Sequence, residues 1–218
     1  MQLAALLLTL AQATTPDAAT PAPAPAPETP RGPFVSLEVS QNRRPLGTIT
    51  IALDPEKAPV SVDNFLGYVR AGHYDGTVFH RVMPGFMIQG GGYTPELEEK
   101  ATRPSIVNEA RNGLRNSRGT VSMARLTDPN SASSQFFINL RDNHRLDYGI
   151  GGAGYAVFGR VVEGMEIVDR ISMVSRTTRG AHENVPEVPI IIRRAQELPS
   201  WAPKTVPAPA GAAAPPGP

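Results

Sequence analysis

The 218-residue chain contains no cysteine. That excludes disulfides and thiolate chemistry, and it is compatible with either a reducing or an oxidising compartment. Neither sign of charge is in excess: 21 Lys+Arg against 20 Asp+Glu leave a formal charge of +1, which is no electrostatic footprint for nucleic acid. There is no apolar run of roughly 18 residues and no basic amphipathic segment, so no membrane span is expected. The four histidines, His73, His80, His144 and His182, show no zinc-ligand spacing, and neither a metal nor another cofactor is expected. A GxSxG hydrolase elbow is missing. Gly149-Ile-Gly151-Gly-Ala-Gly154 matches GxGxxG, but it follows a polar loop and opens onto the strand-like Tyr155-Ala-Val-Phe. A dinucleotide site needs a strand before and a helix after, so a flexible loop is the reading.

Proline is plentiful, and its distribution divides the chain. Of 23 prolines, 7 fall in residues 14–33, 9 in 34–198 and 7 in 199–218. One globular domain over 34–198 with two Pro/Ala-rich, disordered arms is the reading, because alternating Pro-Ala as in 21–27 favours extended polyproline II and cannot enter a helix or sheet interior. Residues 1–13, MQLAALLLTLAQA, combine a short apolar core with a small-x-small ending. This is the pattern of a secretory signal and implies an exported, periplasmic protein, although no Lys or Arg precedes the apolar core. If the segment is instead the first turn of a buried helix, the protein is cytoplasmic.

Within the domain, Val35, Leu37 and Val39 alternate with polar residues, the period of a half-buried strand, and 48–53 continues as a second strand after an Arg-Pro-Leu-Gly turn. Val62, Phe65, Leu66 and Val69 share one helical face over 58–71, with Gly72 as the stop. Further strands are expected at 79–82, 86–89, 120–125, 135–140, 156–162 and 188–195, a helical turn at 96–100 and a short helix at 164–171. Many short strands with two helices argue for a mainly β, closed antiparallel barrel, since closure removes exposed edges.

The chemistry concentrates in Phe79 to Gly92, FHRVMPGFMIQGGG. It sets a guanidinium, Arg81, near an apolar pair, Phe86 and Met87, and an amide, Gln89. No nucleophile or carboxylate pair accompanies them, so the set suits a reaction that needs orientation and charge stabilisation without a covalent step. The plainer alternative is two strands around a Pro84-Gly85 turn with Arg81 merely solvated. His80 reads as a packed or hydrogen-bonding neighbour in preference to a general base.

Taken with VSMAR, SSQFFI, Leu146-Asp147 and YAVFGRV, this run resembles the cyclophilin-type peptidyl-prolyl cis-trans isomerases, closest to the bacterial exported branch, over about residues 35–198. The resemblance implies an eight-stranded antiparallel barrel capped by two α-helices, with the site on its outer face. It implies Arg81 as the central catalytic residue, with Phe86, Met87, Phe137 and Leu146 lining a proline pocket and Gln89 bonding the peptide backbone. Ala124 and Arg125 fall where the family binds the residue before proline. Tyr155 stands where many eukaryotic members carry histidine, and His80 is similar to the family histidine preceding the arginine. The expected partners are proline-containing polypeptides, and the expected state is a monomer. Arg145 occupies the position of a tryptophan that helps hold cyclosporin in many eukaryotic members, so weak or no binding of that drug is implied. A Pro-segment-binding chaperone or scaffold without turnover is the competing class, since fold alone does not separate the two.

Overall fold

The computed structural model describes residues 32–201. The expected export segment, the arm up to residue 31 and the tail beyond 201 lie outside the described residues. Among the described residues, ten strands and two α-helices follow one another as β1 (Phe34–Gln41), β2 (Arg44–Leu53), α1 (Pro59–Arg70), β3 (Arg81–Met83), β4 (Met87–Gly90), β5 (Thr120–Met123), β6 (Phe136–Asn139), β7 (Val157–Glu163), α2 (Met165–Ser172), β8 (Arg176–Arg179), β9 (His182–Pro186) and β10 (Ile190–Leu198). A 3₁₀ turn, His144–Leu146, lies between β6 and β7.

Eight strands form one antiparallel sheet in the order β10-β1-β2-β7-β5-β6-β4-β3. The sheet is a half-barrel, and the expectation of a closed barrel is corrected: no ladder joins its edges, β10 and β3. The chain before β3 meets β10 only at an isolated bridge, Val78 to Ile191. It then leaves to pair with β4 from Arg81 onward. Backbone bonds from Gly76 to Ile192, Ile192 to Thr77 and Phe79 to Ile190 cover that edge with irregular chain.

Strand β1 carries the anticipated alternation, with Val35, Leu37 and Val39 fully buried. The first hairpin is tighter than expected. Residues 44–47 are already strand, and the turn is made by Asn42, which takes a left-handed φ of 53°; asparagine tolerates that region better than most side chains.

Helix α1 begins at Pro59, whose fixed φ and missing N–H suit the first turn. Its N-cap, Ala58, offers no side-chain acceptor, and the carboxylate of Glu109 serves instead, accepting from the Val60 and Ser61 amides at 3.0 and 2.7 Å. The buried face of α1 places Phe65 against Tyr74, Phe136 and Phe158, with ring centroids 5.1 to 5.5 Å apart. Helix α2 buries Ile167, Val168 and Ile171.

The β8–β9 hairpin is a two-stranded sheet of its own that sequence periodicity did not anticipate. All four residues of β8 are exposed, so there is no apolar alternation to detect. Residues 96–100 are not helical; Tyr93 and Glu99 form an isolated bridge there.

Candidate active site

Strand register explains why residues far apart in sequence converge. Arg81 pairs with Gln89 across β3–β4, Gln89 with Phe137 across β4–β6, and Phe137 with Ser122 across β6–β5. Because side chains alternate along strands, this row projects from one face of the sheet. The adjoining row, Val82, Ile88, Ile138 and Val121, projects from the other and is 0% exposed throughout. Met87, two residues from Gln89, returns to the face of the first row.

Within that row Arg81 donates from Nη1 to Gln89 Oε1 at 3.4 Å, and Gln89 Nε2 donates to Gln135 Oε1 at 2.9 Å. Arg81 is half-buried and has no other side-chain partner among the described residues. Gln89 therefore orients the guanidinium while keeping one N–H for a further acceptor. Gln135 was not anticipated as a participant. Its place is made by Gly92, where a Cβ would lie 2.6 Å from the Gln135 side chain. At Gly91, φ is +88° and a Cβ would press on Tyr74 and Phe136, so the glycine run serves close packing.

The apolar wall lies beside Arg81. Phe137 meets Tyr155 edge-on at 5.7 Å, and Met87 and Phe137 are almost fully buried. Phe86, half-buried, sits at the β3–β4 turn, and Leu146 lies in the 3₁₀ turn with its carbonyl accepting from the Tyr155 amide at 2.9 Å. Ala124 donates its amide to the Gln135 carbonyl. Arg125 is a strut: its guanidinium stacks 4.4 Å from the Tyr155 ring centre, and its Nε donates to the Gly154 carbonyl at 3.0 Å. The glycine-rich loop ending at Gly154 is held further by Asn108 Nδ2, which donates to the carbonyls of Ala153 and Gly154.

His80 packs away from this wall. Its ring lies 4.6 Å from Tyr93, which in turn lies 4.9 Å from His182 of β9. Burial, reinforced by the nearby charges of His182 and Arg81, pushes the His80 imidazole down to about 4. It is therefore neutral at physiological pH.

Behind the wall runs a buried amide network whose centre, Asn116, lies in the irregular stretch 93–119. Asn116, 0% exposed, donates from its amide and from Nδ2 to Asp147 Oδ1, at 2.7 and 3.1 Å, and from Nδ2 to the Tyr155 carbonyl at 3.3 Å. Its Oδ1 accepts from Ser122 Oγ at 2.8 Å and Asn139 Nδ2 at 3.3 Å, and its carbonyl accepts from the Asn143 amide at 2.7 Å. Asn143 Nδ2 donates to the Phe86 carbonyl at 2.8 Å. Phe86, Tyr155 and the 3₁₀ turn carrying Leu146 are thus fixed to one another through Asn116 and Asn143.

Residues 34–197 match the family model "Cyclophilin type peptidyl-prolyl cis-trans isomerase/CLD". The chain belongs to the cyclophilin-type peptidyl-prolyl cis-trans isomerases. Among relatives of this cyclophilin, peptidyl-prolyl cis-trans isomerase A of Dickeya dadantii (strain 3937) is 57% identical over 150 residues, covering 69% of this chain and 79% of the relative. Peptidyl-prolyl cis-trans isomerase B of Escherichia coli (strain K12) is 50% identical over 149 residues, covering 67% and 91%. Among solved structures, a cyclophilin-type isomerase of Cryptosporidium parvum is similar with a TM-score of 0.65 at 25% identity, covering 78% of this chain and 99% of that one. The same protein in the presence of the dipeptide Ala-Pro gives 0.63 at 26% identity, covering 74% and 96%. Membership makes the chain an isomerase of the bond before proline. No helix among the described residues is long and apolar enough to cross a membrane.

Proposed function

We propose that this cyclophilin rotates X-Pro bonds in unfolded or partly folded proteins by non-covalent stabilisation of the twisted amide, with Arg81 as the stabilising group and Phe86, Met87, Phe137 and Leu146 holding the proline ring. The observation that carries this reading is the register of Arg81, Gln89 and Phe137 in one row across three strands, which sets an oriented cation beside an aromatic floor.

The physics is economical. Both isomers of an X-Pro bond are populated, and the barrier of about 20 kcal/mol makes the unaided exchange take tens of seconds. At the transition state the amide loses conjugation and its nitrogen regains a lone pair, which an N–H of Arg81 can meet. An acceleration of about five decades needs roughly 7 kcal/mol of stabilisation confined to the transition state. A charge-assisted bond, made once the bound peptide covers the half-buried Arg81, supplies a large part of that. Gln89, through its remaining N–H and through its hold on Arg81, fixes the peptide and the guanidinium in register. Ala124 borders the site where the residue before proline would lie, and Arg125 and Tyr155 form its rim. His80 contributes packing behind Arg81, and no step requires a proton from it.

The near-neutral charge supports broad use on unfolded chains, and the apolar segment at 1–13 supports action after export. Arg145, exposed in the 3₁₀ turn, supports weak or absent cyclosporin binding.

The deciding experiment is Arg81→Ala in a proline-peptide isomerisation assay. A loss of about 100-fold or more in kcat/KM with unchanged circular dichroism is expected, and Arg81→Lys should recover little of it, because a point charge on a flexible stem does not reproduce the planar fork. Wild-type turnover in folded Arg81→Ala would remove Arg81 from the mechanism.

A further inference from the structure

Next to the proline site, and not used by it, is an open groove of about 380 Å³ on the outer side of the 3₁₀ turn. Arg111, Arg115, Leu114, His144, Tyr148 and Ile150 line it. Its two arginines are exposed, and among the described residues neither pairs with a carboxylate; the Arg111 guanidinium lies 4.6 Å from the Tyr148 ring centre. Arg145, also exposed and without an acidic partner among the described residues, stands in the same turn as His144. The one carboxylate at the groove, Asp147, is buried and already accepts from Asn116 and faces His144 at 3.2 Å. Tyr148 is 43% exposed and Ile150 66% exposed, so two neighbouring apolar side chains stand open on the wall of the groove. The groove is thus cationic at its rim and apolar within.

The groove also adjoins the proline site. Leu146, which borders the proline pocket, belongs to the same turn as His144, and Gly154 next to Tyr155 packs so closely on Tyr148 that a Cβ would fall 2.6 Å from its amide nitrogen. We propose that this groove is a second binding site for the polypeptide whose proline occupies the main site, and that it selects segments in which acidic residues flank an apolar side chain. The proposal rests on the isomerase reading for its substrate. Such selection would tilt an otherwise indiscriminate enzyme towards proline bonds embedded in acidic sequence, since charge complementarity sets specificity and encounter rate more than it sets intrinsic affinity.

The test uses the full chain and two proline peptides, one neutral and one carrying paired glutamates and a leucine about three positions from the proline, a reach of roughly 10 Å in extended chain. In the double variant Arg111→Glu, Arg115→Glu, kcat/KM for the acidic peptide should fall about five- to tenfold, while the neutral peptide stays within about twofold, and the wild-type preference should fade as salt shortens the screening length. Arg111→Gln, Arg115→Gln should give an intermediate loss without charge reversal. Fluorescence anisotropy with a proline-free acidic peptide separates this site from the isomerase reading: wild type should bind it and the double variant should not, whether or not either proline peptide turns over. Equal effects on both proline peptides, or no binding of the proline-free peptide by wild type, would overturn the proposal. So would sedimentation showing a wild-type dimer that the double variant loses, because the groove would then belong to a second copy of the chain.

Discussion

Phe136 and Phe137 are neighbours in sequence and face opposite sides of β6. Phe136 is fully buried, with Phe65 and Tyr74 each 5.5 Å away, whereas Phe137 turns to Tyr155 on the site face. Phe136→Ala should therefore destabilise the fold by about 3 to 5 kcal/mol, seen as a lowered denaturant midpoint. Phe137→Ala should cost less stability and more activity, and the opposite pattern in melting and peptide assays would mean that the faces serve the other way round. His80 makes a prediction about pH. The folded chain holds its imidazole proton only below about 4, against 6.5 ordinarily, so between those values the unfolded chain binds more protons. The stabilisation is complete above about pH 6.5 and is lost as pH falls towards 4, by about 3 kcal/mol in all. Burial lowers His73 as well, but His73 is present in both proteins when wild type is compared with His80→Gln. The variant's unfolding free energy should fall less steeply over that range, and parallel curves would show that His80 is not the group responsible.

At the scale of elements, the site is as rigid as the joints between its strands and loops. Asn116 makes the central joint, tying the 3₁₀ turn to the Tyr155 segment directly, and to Phe86 through Asn143. Asn116→Ala would leave the Ser122 hydroxyl and the Asn139 amide short of an acceptor in a dry interior. The expected result is a loss of about 2 to 3 kcal/mol in chemical denaturation, together with a severalfold rise in KM as the wall loosens. Unchanged KM in the folded variant would show that the wall is positioned without it. None of this was legible in the sequence, because 93–119 carries neither apolar period and its order is built from side-chain amides. What periodicity did disclose were the elements with a buried face: β1, where valine and leucine alternate, and α1, where Phe65 and its neighbours recur on one side. The β8–β9 hairpin buries too little to leave such a trace, and the 44–47 segment looked like a turn because proline and glycine occur there in strand conformation.

For the molecule as a whole, the mainly β architecture with two helices was readable, and so was the hairpin around Pro84-Gly85 that carries Arg81, Phe86, Met87 and Gln89. Closure was not readable. Edge strands must be shielded from pairing with other chains, and the sequence suggested a continuous barrel as the means. The protein instead ends its sheet at β10 and β3 and lays irregular backbone from Gly76 to Phe79 along β10, a solution that one isolated bridge leaves without any repeating pattern. At the other extreme of the described chain, Trp201 places its ring 5.6 Å from Phe34 and donates from Nε1 to Glu163 Oε2 at 3.3 Å. It is the only tryptophan in the sequence. Its partners belong to β1 and to the end of β7, so its ultraviolet emission should serve as a built-in optical probe of that C-terminal seam, shifting when the indole leaves Phe34 and holding steady while the joint stays closed.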